Sequence, residues 1–128
     1  MMPSQNYNSN ATQAIALLNL PVKVAQDTPK GTWVTATGGL VATGEAPIGV
    51  TQADAKQGEM VAITVIGTAS MNLAGIAVGA VKQGDLVIID GGVLQIVSAN
   101  TYATNVSKLL GVVLYDANPN GHAEVLIR

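Results

Sequence analysis

The chain has 128 residues, 48% of them hydrophobic and only 11% charged, against about 25% charged in an average soluble domain. That length suits one domain, or one domain with an arm, and a composition this apolar excludes disorder as the main state. Six Lys and Arg against eight Asp and Glu argue against a nucleic-acid-binding role, and the lack of Cys excludes disulfides, thiol nucleophiles and cysteine zinc sites.

Residues 1–10 are polar, rich in Asn, Ser and Gln, and show no periodicity. They read as a disordered terminus or as a tether that orders on a partner, with Tyr7 its one aromatic residue. No positive start precedes an apolar core, as a secretory signal would require. No run reaches the about 18 apolar residues of a membrane span. Residues 11–20, ATQAIALLNL, put Ala11, Ile15 and Leu18 on one helical face. Asn10 and Gln13 stand in capping positions, and Pro21 is a stop. The segment predicts a short helix or irregular arm, with an extended strip on a sheet edge as the alternative. In any form Ile15, Leu17, Leu18 and Leu20 need burial.

From Pro21 onward the pattern is one of short strands. Val22 and Val24 alternate with Lys23 and Ala25. Trp33 to Thr35 follow a Pro29-Lys30-Gly31 turn. Gly38-Gly39 reads as a hairpin turn into Leu40-Val41. Ile48 to Val50 make another short strand, and Met60 to Ile66 the clearest one, with Val61, Ile63 and Val65 on one face. Thr68 to Lys82 is apolar, carrying Met71, Leu73, Ile76, Val78 and Val81, while Gly75 and Gly79 argue against a helix. It reads as core or as an inter-subunit surface. Leu86–Ile89 and Val93–Val97 flank the turn Asp90-Gly91-Gly92. Ser98 to Ser107 reads as a polar loop. Leu110–Leu114 and Ala123–Ile127 close the chain around a turn that ends at Gly121.

The chain also resembles itself. GTWVTATGG (31–39) aligns with GDLVIIDGG (84–92) at an offset of 53, and IGVTQADA (48–55) with LGVVLYDA (110–117) at an offset of 62. The expected fold is therefore all-β: a compact sandwich or barrel-like domain of short strands over residues 21–128. It contains two pseudo-repeated halves, about 30–67 and 83–128, behind an N-terminal arm of residues 1–20.

Chemistry is sparse. Asp54 and Asp116 fall at equivalent turns, where a carboxylate accepts from the backbone. Gly38, Gly39, Gly91, Gly92 and Gly121 are the matching turn positions. Asp85 and Asp90 flank one hairpin arm, and no acidic loop is dense enough for calcium. His122 stands alone beside Gly121, so no triad can be argued. The glycines spell no phosphate loop. Trp33, the only Trp, reads as core or subunit interface. No catalytic residue, metal or cofactor is expected, and an enzyme is disfavoured.

The run Gly-x-x-Val, Gly-Gly-Leu, Ile-Gly-Val, Asp-Ala and Gly-Glu-x-Val-Ala-Ile-x-Val-x-Gly over residues 31–67 resembles small head-decoration (cement) proteins of tailed bacteriophages. Lys-Gln-Gly-Asp-Leu-Val (82–87), Asp-Gly-Gly (90–92), Leu-Gly-Val (110–112) and Ala-Glu-Val-Leu-Ile (123–127) continue the resemblance. It spans about residues 21–128 and leaves the arm unmatched. It implies a β-rich structural protein, made in the host cytoplasm, that sits on the capsid exterior and clamps neighbouring major capsid subunits. Such proteins are often homotrimers; a dimer or monomer stays open. Nucleic acid and membrane are not expected partners. Tyr7, Ile15, Leu17, Leu18, Leu20, Trp33, Met71, Leu73 and Ile76 are the residues expected at a capsid or subunit interface. The alternatives are another virion β-module, at the tail or fibre base, and a β-rich surface- or carbohydrate-binding module. Sugar platforms want more aromatics than one Trp and three Tyr.

Overall fold

The computed structural model describes residues 15–42, 45–90, 93–115, 117 and 121–127. Short β-branched segments between Gly and Asp turns form strands. These are β1 (Ala16–Lys23), β2 (Trp33–Val34), β3 (Gly49–Thr51), β4 (Met60–Asn72), β5 (Leu86–Asp90), β6 (Val93–Val97), β7 (Leu109–Val113) and β8 (His122–Ile127). Every pairing is antiparallel. The sheet runs β2-β3-β4-β8-β7-β5-β6, with β1 added to β4. It is mainly β, as expected, and the one sheet curls into a half-barrel.

Strand β4 organises the molecule. It is 13 residues long and alternates in burial along most of its length, with a break at buried Thr64. Val61, Ile63, Ala69 and Met71 point into the core, while Met60 and Ile66 face out. The apolar stretch after Ile66 is thus not a separate connector at its start: residues 67–72 are the second half of the same strand. Gly67 sits between the halves with φ +118, and a Cβ there would lie 2.3 Å from the Ile15 carbonyl oxygen. Only glycine admits both that backbone and that approach. Further along, Val78–Ala80 form a single 3-10 turn, and Val81 is fully buried.

Residues 16–20 depart from the helical expectation and are strand. A segment this short holds no helix alone, whereas one edge of β4 offers it a full ladder from Ala16↔Gly67 to Lys23↔Met60. Pro21 ends nothing. It stands opposite Ala62, in a strand whose outer edge pairs with no other among the described residues, so its missing N–H is tolerated. Gln52 Nε2 donates to Asn19 Oδ1 at 2.8 Å and to Thr64 Oγ1 at 2.9 Å, tying β1 to β4 and to the end of β3. The strand crosses residues 20 and 21, where sequence reading places a boundary. The polar stretch 98–107 also differs. It holds one helical turn, α1 (Tyr102–Asn105), flanked by 3-10 turns. Asn105 Nδ2 donates to Thr101 Oγ1 at 3.0 Å, a local bond that a loop reading does not anticipate.

Two buried clusters fill the half-barrel. The larger joins Trp33, Val50, Met71, Leu73, Val81, Val87, Val113 and Val125; the smaller joins Val22, Val24, Val34, Val61 and Ile63. Apart from Trp33 and Met71 in the larger one, both are built of aliphatic side chains.

Candidate functional site

Apolar surface is the main feature outside the core. Leu17 is 75% exposed and Ile15 65%, and Leu18 and Leu20 are exposed too. All four lie on β1 or immediately before it. Leu18 stands opposite Ile66 across the β1–β4 pair, and Leu126 of β8 stands opposite Thr68. Ile66 and Leu126 are also exposed, so apolar side chains gather where β1, β4 and β8 meet. Alone, an exposed leucine is ordinary; several on adjoining strands form a patch of the kind that marks an interaction surface. Sequence reading did not single out Ile66 and Leu126. The signal was present for Ile66, which falls on the opposite face from Ile63 in a strict alternation.

The other residues expected at an interface lie elsewhere. Trp33, Met71 and Leu73 are buried within the chain, and Ile76 packs against them. Trp33 Nε1–H donates to Met71 Sδ at 3.0 Å. An apolar recess of about 520 Å³ opens beside them, lined by Trp33, Leu40, Val41, Leu73, Ile76 and Leu94 among others. Tyr7 lies outside the described residues, as do Gly91, Gly92 and Asp116.

The carboxylates serve turns. Asp54 Oδ1 accepts from the Lys30 N–H at 2.8 Å, Asp85 Oδ2 from Lys82 N–H at 3.0 Å, and Asp27 Oδ1 from Gln57 N–H at 2.8 Å. Asp90 pairs with Lys108 at 3.1 Å on an exposed part of β5. His122 begins β8, opposite Asn72. Gly121 precedes it at φ +78. Gly38 is left-handed at φ +84, and its N–H donates to Thr35 O at 3.0 Å. Gly39 lies outside the left-handed region. Among the described residues no group of three or more His, Cys, Asp and Glu stands close enough to hold a metal ion. No helix there is long and apolar enough to cross a membrane.

A comparison with family models matches residues 12–128 to the phage cement protein family. The chain belongs to that family. Cement membership carries a structural, capsid-stabilising role and a place on the virion capsid, and the family is not a known enzyme family. The cement match reaches back to residue 12, so it includes all of β1, whose residues 16–20 lie outside the resemblance seen in the sequence. None of the curated proteins matches the chain.

Proposed function

We propose that this cement protein binds the outer surface of an expanded phage capsid and clamps neighbouring major capsid subunits, with β1 as its principal contact. The observation that carries this reading is the exposure of Ile15, Leu17, Leu18 and Leu20, on or just before a strand whose outer edge is open among the described residues. Such an edge can accept a strand from a partner through main-chain hydrogen bonds, and the apolar side chains then add buried area. Full burial of one leucine contributes about 1.5–3 kcal/mol. Many copies, each weakly bound, stabilise a shell by mass action and avidity. A homotrimer is the assembly we propose for the free or bound form. Residues 1–14 precede the contact directly and are polar, which suits a tether at the rim.

The test uses expanded shells that lack the protein. Added chain is expected to co-sediment with shells and to raise their melting temperature. Shells whose melting is unmoved by saturating chain overturn the reading. The double substitution Leu17→Ser with Leu18→Ser is expected to weaken shell binding by at least about tenfold, since about 1.4 kcal/mol suffices for that. Both side chains are exposed in the isolated chain, so its own melt should stay put. Unchanged shell affinity would remove β1 from the contact. Light scattering on the free protein then decides whether its mass is three times that of one chain.

A further inference from the structure

Much of the backbone pairing of the first half recurs in the second at constant offsets. Trp33↔Val50 and Val34↔Gly49 join β2 to β3; Leu86↔Val112 and Val87↔Gly111 join β5 to β7. Adding 53 to the first partner and 62 to the second converts one set into the other. Val50↔Thr64 and Thr51↔Ile63 become Val112↔Leu126 and Val113↔Val125, with 62 added to both partners. Loop hydrogen bonds follow the same arithmetic. Gly31 N–H to Thr51 O becomes Gly84 N–H to Val113 O, and Thr51 N–H to Thr32 O becomes Val113 N–H to Asp85 O. Ala55 N–H to Thr28 O becomes Ala117 N–H to Val81 O. Even the tight glycine recurs: a Cβ on Gly49 would lie 2.3 Å from Thr64 O, and one on Gly111 2.4 Å from Leu126 O.

The correspondence extends to strands that the sequence alignment does not reach. Leu20↔Ile63, Val22↔Val61 and Lys23↔Met60 map onto Ala69↔Val125, Met71↔Ala123 and Asn72↔His122. The first partner shifts by 49 and the second by 62. Val24 N–H to Glu59 O likewise becomes Leu73 N–H to Gly121 O. So β1 corresponds to the second half of β4, and the first half of β4 corresponds to β8.

We infer that the chain is an internal duplication of one four-strand unit, residues 16–66 and 67–127, with β4 shared as the last strand of the first unit and the first of the second. The sheet order supports it, since β2-β3-β4 read inward from one side plays the parts of β5-β7-β8 from the other. β1 and β3 both pair with residues 63 and 64, so they flank opposite edges of β4. β8 lies on the edge away from β3, and therefore on the β1 edge. There β8 runs from Asn72 to Gly67 and β1 from Gly67 to Met60. The two together mimic a second β4, antiparallel to the first and broken beside Gly67. An approximate two-fold axis passes at that break, where Ile127 and Ala16 both face Gly67. The register shifts of β1, between Ala16 and Asn19, sit at the same seam.

The units keep the frame and differ in chemistry. Asn19, Gln52 and Thr64 form the polar cluster of the first unit. Their counterparts are Thr68, Leu114 and Leu126. The frame is thus symmetric while the side chains on it are not. On the capsid reading, the chain is then a fused dimer whose two copies of this one position differ, polar in the first unit and apolar at Leu114 and Leu126 in the second.

The test is a circular permutant of the full chain. Arg128 is joined to Met1, so that residues 1–14 become the linker, and the chain is opened between Ile66 and Gly67. The new ends fall where the old ones have their two-fold mates, and closely placed ends favour such a rearrangement. A soluble protein with one cooperative melt is expected, while a permutant opened inside β5 between Val87 and Ile88 should not fold. A seam permutant with no cooperative melt, or two permutants that fare alike, overturns the duplication. A second measurement needs no permutation: Gly49→Ala and Gly111→Ala should both lower the melting temperature. One neutral and one damaging substitution would also overturn it. Shell binding enters neither readout, so a failure of the capsid reading remains distinguishable.

Discussion

Replacing Gly38 with Ala is expected to lower the stability of the chain by about 3 kcal/mol or more, while Gly39→Ala leaves it within about 0.5 kcal/mol of the natural protein. Gly38 has φ +84, and a Cβ on it would stand 1.9 Å from the main-chain oxygen of Lys23. Neither obstacle is a flexible side chain. The left-handed conformation costs an L-residue roughly 1–2 kcal/mol. The clash must be relieved by moving the turn away from β1, which breaks the Ala25 N–H to Gly38 O bond of 3.0 Å. At Gly39 the same Cβ meets only Thr35 Oγ1, at 3.8 Å. Chemical denaturation of the two variants checks this. Equal midpoints would show that the turn does not press on β1 as described.

That contrast also shows what the sequence conveys and what it withholds. Gly38-Gly39 marks a turn because two glycines between apolar runs tolerate tight backbone. Which of the two is constrained depends on Lys23, which lies 15 positions earlier and reaches the turn only through tertiary packing. The strands were legible for a similar local reason. Val61, Ile63 and Val65 alternate strictly, and the curled sheet buries Val61 and Ile63 and partly buries Val65. The continuation of β4 past Gly67 was not legible, because glycine in a strand reads as an end or a bulge. Its reason is the approach of Ile15, again distant in sequence. The segment 11–20 fits a helical face, a strand and an arm almost equally by pattern. The open edge of β4 decided among them, and no local signal encodes that edge.

The proposed contact surface was legible only in part. Ile15, Leu17, Leu18 and Leu20 stand out in sequence because a dense apolar run abuts a polar arm, and these same residues are exposed on β1 or immediately before it. Trp33, Met71 and Leu73 are apolar too, yet they lie inside. Hydrophobicity shows that a residue needs cover; the fold determines whether the chain itself provides it.

The reading of Trp33 as core rather than contact can be checked directly. Trp33→Ala is expected to destabilise the chain by roughly 3–5 kcal/mol, a large share of the about 5–15 kcal/mol that a domain holds. The ring is 6% exposed and packs with Val50, Met71, Leu73 and Val87 in the larger cluster. A core without Phe has no second aromatic ring to fill the gap. Trp33→Phe keeps most of the volume and loses the 3.0 Å N–H to Met71 Sδ, so it should cost far less, on the order of 1 kcal/mol. Thermal melts of the two variants separate the readings. A partner-facing Trp33 would leave the melt of the free chain unchanged in both and weaken shell binding instead. A core Trp33 produces the reverse: a low melt for Trp33→Ala, and a Trp33→Phe chain that binds shells as the natural one does.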